Sequence, residues 1–509
     1  MSSKYTVNII GAGISGLATG LYLQMNGFKT EIFEKQSKCG GLCTSWQRGE
    51  YTFDGCLHWL LGSYKDSPFY KIWKELIDID KIEFENHKIR VSIELKKNSI
   101  NGNKIFCLYT NINQLEEYMT GISPEDIKVI KKFTDSMRQI QKYEVPPLID
   151  DLPFFKSLKQ KTSFIKLLPF LFIIYKWKNI TNYSFAKKFK SAFLKEAFEL
   201  LFGGEILPLL VISFPLAFFD KSGAGYPLGG SYKFSKILEE QYISKGGKVN
   251  YNSGIKEVIT KNNIAQGLIL ENDKNVFSDF VVSAADWHYT VFNALNGVYI
   301  NKTIQKLKEQ KKLKLFYSVV QVSLGLNLTL NEYPHFFRFP LDEKLISPDG
   351  SNYEIFEVHI YNYDKSLAPE GKTVVTMRFY TKNGNHWINL RNSNSEKYKE
   401  EKKQFAVKAI DILNAKIEGI KEKIEQIDVA TPASYFRYTN NLSGSIQGWL
   451  PKNNFFSLSP VNCELPGLKN FYMTGHWIIP GGGLPVAIKT ARDISQKICR
   501  KSGIRFKTN

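Results

Sequence analysis

From residue 5 to residue 10 the chain reads YTVNII, β-branched or apolar at almost every position, as a buried strand does. After the glycines that follow, apolar residues take up a helical spacing to about Met25, and Gly27 supplies a stop. A second strand spans residues 29–33 and ends at Glu34. Farther on, residues 111–140 read as helices. Ser123 is a cap with Pro124 behind it and Asp126 in the first turn, and Ile127, Ile130, Phe133, Met137 and Ile140 mark one apolar face assigned to core. Residues 232–244 read as another helix, closed by Gly246 and Gly247. Strands follow at 248–252, from Ile255 onward, and at 280–286 before a turn.

Between residues 311 and 440, strand-like runs such as 316–326 and 373–380 alternate with charged loops, which predicts an antiparallel sheet. The Lys- and Glu-rich residues 394–424 read as a solvated helix. Residues 468–475 form the last predicted strand, followed by the glycine-rich turn HWIIPGGGLP and a helix from Val486 with Pro485 at its start. Two apolar stretches do not settle into this scheme. Residues 164–175 are aromatic and aliphatic, interrupted by Lys166 and Pro169, and flanked by lysines at 156, 159, 161, 176, 178, 187, 188 and 190. That pattern predicts a helical region lying on an anionic bilayer surface, too short to span it, with a helix buried in the substrate-binding part of the chain as the alternative. Residues 198–219 carry Gly203, Gly204, Glu205, Pro208 and Pro215 among their apolar positions, and both a tunnel for a greasy substrate and ordinary core remain open.

Composition narrows the classes. The 509 residues suffice for two or three domains, and 43% hydrophobic content supports large cores. Lys+Arg exceed Asp+Glu by 68 − 49 = 19, but the excess is spread along the chain with no nucleic-acid motif, so nucleic acid is not an expected partner. Six cysteines make no disulfide framework. Cys39, Cys43, Cys56 and His58 lack metal-ligand spacing, and no metal is expected. The first strand starts by residue 5, leaving no room for a signal peptide, and no apolar window reaches the ~18 residues of a spanning helix. The expected location is the cytoplasm, peripheral at the inner face of the membrane.

The chemistry lies where the first strand meets the first helix. Gly11-Ala12-Gly13-Ile14-Ser15-Gly16 is a GxGxxG turn: Gly11 makes the bend, Gly13 lets backbone approach a pyrophosphate, and Gly16 lets the helix pack on the sheet. The helix N-terminus then offers N–H groups and the positive end of its dipole to the anion. Glu34, eighteen residues after Gly16, is placed to accept both hydroxyls of an adenosine ribose and to repel a 2′-phosphate. Gly40-Gly41 follows soon after, and such a pair turns a chain beneath the pyrophosphate of FAD more often than NAD. FAD is therefore the expected cofactor. At the other end, the helix after Gly481 to Gly483 offers a second N-terminus to an electron-rich ring.

These motifs carry a resemblance. The stretch GAGISGLATGLYLQMNGFKTEIFEK, the Gly-Gly pair and YTFDGCLHW resemble the phytoene desaturase, carotenoid isomerase and retinol saturase branch of the FAD-dependent amine-oxidase superfamily. Leu42 stands where many relatives have Arg, as on the isomerase and saturase side. The helix behind Pro227-Leu228-Gly229-Gly230-Ser231 and the closing PGGG turn match the family in order, although His476 replaces the usual Asp.

The resemblance implies an α/β fold: a Rossmann-type FAD-binding domain, GR2-like, with an α+β substrate domain. The cofactor domain is expected from residues 1–90, 225–300 and 440–509, and the substrate domain from 91–224 and 301–439. The implied cofactor-binding residues are Gly11, Ala12, Gly13, Ile14, Ser15, Gly16, Glu34, Lys35, Gly40, Gly41, Leu42, His58, Ile255, Gly475, His476, Gly483 and Leu484. The implied activity is oxidation, reduction or isomerisation of a hydrophobic polyene. A flavoenzyme acting on a polar amine and a non-catalytic nucleotide-binding scaffold stay open as alternatives. No catalytic acid or base is assigned.

Overall fold

The protein is described by a computed structural model over residues 5–65, 67–142, 172–173, 175–450 and 461–508. In chain order its strands are β1 (Thr6–Ile10), β2 (Lys29–Phe33), β3 (Ser45–Arg48), β4 (Tyr51–Asp54), β5 (Phe84–Glu85), β6 (Ile89–Glu94), β7 (Ile105–Tyr109), β8 (Tyr226–Pro227), β9 (Lys248–Asn250) and β10 (Ile255–Lys261). Then come β11 (Ile264–Leu270), β12 (Asn275–Phe277), β13 (Phe280–Ser283), β14 (Ser318–Leu326), β15 (Phe336–Ile346), β16 (Asn352–Ile360), β17 (Thr373–Thr381), β18 (Ile424–Ala430) and β19 (Phe471–Met473).

The strands at the two ends of the chain meet in one parallel sheet, ordered β19-β13-β1-β2-β9. Its strands are apolar because both faces are covered. On one face lie the helices Ile14–Met25, Gly230–Ser244 and Gly483–Lys501, burying Leu17, Leu21, Leu238, Ile488 and Ile494 against Val7, Ile9 and Ile32. On the other lies the antiparallel sheet β10-β11-β12, where Val258 and Leu268 pack on Ile10, Phe33 and Val281. The buried Asn8 on β1 spends its amide on this layer, donating to the Val276 carbonyl at 3.0 Å.

A second sheet has the order β18-β14-β17-β16-β15-β6-β7, antiparallel except between β15 and β6. One of its faces is apolar, with Val320, Val322, Val358, Met377 and Phe379 covered by the helix Ser395–Lys416. Its other face carries Gln321, Arg338, Glu357, His359 and Arg378 and turns toward the loop after β4: Gln321 donates to the Asp54 carbonyl at 2.9 Å. A helical layer, Ile112–Ile122, Ile127–Lys142, Ala192–Glu199 and Leu210–Phe219, packs beside β6 and β7.

Several details differ from the sequence expectations. The helix Ser395–Lys416 is not merely solvated: its charges face outward, but Tyr398, Phe405, Ala409, Ile410 and Leu413 are buried. Ile127 points partly to solvent while Ile130, Phe133, Met137 and Ile140 form the buried stripe. Asp126 caps a different helix from its own, accepting the Lys190 and Ser191 N–H groups at 2.8 and 2.9 Å. The last helix begins at Gly483, ahead of Pro485, because the chain leaves its turn at Gly482, where φ is +49°, and Pro485 then sits inside the first turn, where its missing N–H is no loss. Phe198 is core, whereas Phe214, Phe218 and Phe219 are only half-buried. The basic residues at 156–161 and most of the run 164–175 lie outside the described residues.

Candidate dinucleotide-binding site

The GxGxxG turn closes for steric reasons that the backbone makes explicit. Gly11 adopts φ +94° at the tip of β1 and donates its N–H to the Phe33 carbonyl at 2.8 Å. A Cβ on Gly16 would lie 2.0 Å from the Gly11 oxygen, so only glycine lets the helix come this close. Gly13 pairs with Gly40, bringing the Gly40-Gly41 loop under the turn, and Gly40 holds φ +110°. The helix Ile14–Met25 has no side-chain cap and no acid in its first turn, which leaves its leading N–H groups and dipole for an external anion.

Glu34 is buried at the end of β2. Its Oε2 accepts the Ala12 N–H at 2.7 Å and its Oε1 the Gln36 N–H at 2.9 Å. Burial raises its pKa above the usual carboxylate value, against the lowering effect of those two N–H groups. Each oxygen keeps a second lone pair for another donor. Lys35 reaches across to the Asn440 side chain at 2.9 Å.

The end of the chain closes the cleft. Ser15 Oγ lies 2.8 Å from Thr474 Oγ1, Thr474 donates to Thr490 at 3.1 Å, and the Gly475 N–H donates to the same Thr490 oxygen at 2.9 Å. This chain of hydroxyls ties the first helix to the last. Gly475 (φ +108°) and Gly482 (φ +49°) occupy backbone regions that favour glycine, and a Cβ on Gly482 would meet the Gln447 carbonyl at 2.5 Å. His476 is half-buried, its Nε2 enclosed and without a partner among the described residues, and desolvation lowers its pKa to about 4, so the ring is neutral at physiological pH.

The result is a cleft at the carboxyl ends of the parallel strands, where ligands of open α/β sheets bind. Gly11, Gly13, Ile14, Ser15, Glu34, Lys35, Gly40, Gly41, Leu42, Ile255, Gly475, His476, Gly483 and Leu484 line it. Ala12 and Gly16 stand behind the wall, one bonding Glu34 and the other packing on Gly11. His58 does not line the cleft. Its ring stacks on His359 at 4.6 Å, and its Nε2 has no partner among the described residues.

Sequence reasoning missed part of the wall: Ser253, Gly254, Asp286, Ile446 and residues 438–441. Asp286 is fully buried, accepts the Tyr289 and Leu442 N–H groups at 2.7 and 2.9 Å, and is pushed up to about 7 by desolvation. The acid that ends the VVSAAD run is a visible signal for it. Residues 438–441, YTNN, carry no pattern that marks them.

Comparison with known proteins agrees with this geometry. A family model for an NAD(P)-binding Rossmann-like domain matches residues 9–76. The chain is 23% identical over 100% of its length, and 98% of the relative's, to a 4,4′-diapophytoene desaturase (4,4′-diapolycopene-forming) of Methylomonas sp.. It is 24% identical to an inactive all-trans-retinol 13,14-reductase of Danio rerio, covering 94% of this chain and 83% of that one. It is also 24% identical to a chloroplastic prolycopene isomerase of an Oncidium hybrid cultivar, covering 95% and 82%. Among solved structures, an oxidoreductase from Methanosarcina mazei superposes with a TM-score of 0.57 at 16% identity, over 96% of this chain and 100% of that one, and shares its fold. Both end motifs join in one cleft and similarity runs the length of the chain, so the protein resembles the phytoene desaturase, carotenoid isomerase and retinol saturase branch of the FAD-dependent amine-oxidase superfamily.

Proposed function

We propose that the protein is an FAD-dependent oxidoreductase or isomerase acting on a hydrophobic unsaturated lipid of carotenoid or retinoid type, by desaturation, saturation or cis–trans isomerisation. The observation that carries the reading is the glycine-built cleft, closed by both ends of the chain, in a protein whose full-length relatives are named for polyenes. Bound FAD supplies hydride or electron exchange. The chain's own residues bind and orient. Glu34 would accept the ribose hydroxyls, the leading N–H groups of the helix Ile14–Met25 would hold the pyrophosphate, and the Gly475–Leu484 turn would hold the flavin end. Gly11 and Gly40 fit that group because φ of +94° and +110° there would strain any side chain, and Gly13 presents bare backbone to the cleft.

In this reading the cofactor body is drawn from residues 1–90, 225–300 and 440–509, which contribute all five strands of the parallel sheet, and the substrate body from 91–224 and 301–439. The half-buried rings of Trp59 and Phe219, 5.6 Å apart, and of Phe214 and Phe218, 5.0 Å apart, support an apolar substrate over a polar amine. Peripheral contact with an anionic membrane, on its inner face, belongs to the same proposal. Phe172 and Tyr175 are 66% and 62% exposed beside exposed Lys176, and no helix among the described residues is long and apolar enough to cross a membrane.

Two measurements test the reading. Purified protein should carry flavin absorbance that dithionite bleaches, and protein that stays colourless with excess FAD rules out the cofactor. Lipid extracts of cells with and without the protein should then differ in their polyenes. A bleachable flavin with unchanged lipids would favour the scaffold alternative.

A further inference from the structure

Four of the seven histidines and three arginines gather where the polar face of the second sheet meets the loop after β4. His58 stacks on His359, and His87 stacks on His335 at 3.5 Å. Burial holds His87 and His359 at about 4 and His335 at about 2, so these rings are neutral hydrogen-bonding groups at physiological pH. The positive charge comes from Arg90, Arg338 and Arg378.

Among the described residues, only one of the three guanidiniums has a counter-ion. Arg338 places Nε and Nη2 at 2.8 and 2.7 Å from Glu357 Oε2 and donates to the Leu201 carbonyl at 2.8 Å. His359 Nε2 takes the other Glu357 oxygen at 3.1 Å. Asp54 lies within electrostatic reach of Arg378, but its oxygens are engaged by the Ser231 N–H and hydroxyl and by the Cys56 N–H.

Arg378 makes no ion pair among the described residues. It is 8% exposed, and its Nε and Nη2 are buried without a hydrogen-bond partner there. The phenols of Tyr361 and Tyr435, close to it, also lack partners among those residues. Arg90 lies between the rings of Phe219 and Phe336, 5.5 and 5.3 Å from their centroids, with no described carboxylate in ion-pair contact, and burial lowers it to about 10. Buried charge without compensation is strongly destabilising, which is a reason for a ligand to complete the site.

The cluster also borders accessible space. Tyr380 stands among Arg90, Arg338, Arg378 and Glu357 and yet keeps 39% of its surface open. It adjoins the dinucleotide cleft: Gln321, paired with Arg378 across the strands, bonds the Asp54 carbonyl, and Cys56 lines the cleft. Tyr435 packs with Leu42 and Ile446, which also line it. On the Arg90 side the neighbours are the half-buried rings of Trp59 and Phe219.

We propose that this cluster receives the carboxylate end of the substrate, and that the substrate is an unsaturated lipid acid rather than a hydrocarbon or an alcohol. A guanidinium edge matches the two oxygens of a carboxylate, while the adjoining rings suit the chain behind it. The inference rests on the polyene reading above and narrows its substrate class.

The test compares all-trans-retinoic acid with its methyl ester, which differ chiefly in charge, by equilibrium ultrafiltration on the flavin-loaded protein. The acid should bind at least about tenfold tighter, as expected where a charge is met by a buried cation. Arg378→Gln and Arg90→Gln should each erase most of that preference at unchanged flavin content, and Arg378→Lys should keep part of it. Equal binding of acid and ester would overturn the carboxylate assignment and leave the polyene reading standing. No binding of either would overturn both. Should the arginine variants fail to fold, the comparison on the unaltered protein decides alone.

Discussion

Gly16 shows how much of the site depends on single atoms. Its missing side chain leaves the Gly11 carbonyl where a Cβ would sit at 2.0 Å, against a backbone that cannot swing aside. Gly16→Ala must therefore lift the first helix off the sheet, at a cost of about 1–3 kcal/mol for the overpacking, and spoil the pyrophosphate turn. The measurement is flavin content together with the denaturation midpoint. An alanine variant that folds and retains FAD like the unaltered protein would contradict the geometry. Glu34 is the opposite kind of residue, one that a near-isostere should spare structurally. Glu34→Gln keeps one acceptor for Ala12 or Gln36 but loses the charge, so FAD should dissociate about tenfold more readily, the scale of one charged hydrogen bond. Titration of apoprotein with FAD reads this directly. Both residues are legible in the sequence because their partners lie within a few tens of positions. Arg90 and Arg378 are not, since only the second sheet brings β6, β17 and the loop after β4 together.

At the scale of elements, the packing of the helices Ile14–Met25 and Gly230–Ser244 turns on one ring. Tyr242 fills a slot left by two glycines: a Cβ on Gly20 would lie 2.7 Å from the ring and one on Gly247 only 2.1 Å away. Its hydroxyl donates to the Thr30 carbonyl at 3.0 Å, fixing the second helix to β2. Gly20→Ala should destabilise the protein by about 1–3 kcal/mol despite alanine's better helix propensity, because the ring is anchored at its far end. Gly20→Ala combined with Tyr242→Leu should recover part of that loss. A single variant as stable as the parent, read by thermal unfolding with FAD saturating, would show that the helices separate freely. Sequence periodicity places these helices but not this contact, since every residue from 14 to 23, Ser15 and Thr19 included, is buried and the first helix has no single apolar face to point to it. The helix Ser395–Lys416 misleads in the other direction. Its lysines and glutamates dominate the composition and hide the stripe from Tyr398 to Leu413 that packs on β14 and β17.

For the molecule as a whole, the joining of remote segments leaves several titratable groups away from water, and acid should expose them. Histidines held near 4 when folded regain a value near 6.5 when unfolded, so between those limits the unfolded chain takes up protons that the folded one refuses. Stability from each is intact above about pH 6.5 and lost as pH falls, at up to about 1.4 kcal/mol per pH unit. Asp286 acts oppositely. Its folded value of about 7 exceeds the unfolded one of about 3.9, so its contribution is full at low pH and fades as pH rises toward 7. The net curve mixes these signs, and a difference between two proteins isolates one group. His476 suits that purpose, because desolvation alone shifts it and no charged neighbour contributes. His476→Asn should therefore flatten the pH dependence of the denaturant midpoint between about pH 6.5 and 4, by up to about 1.4 kcal/mol per pH unit relative to the parent. Parallel curves across that window would mean that the ring is protonated in the folded protein, and that the closing glycine turn admits water to it.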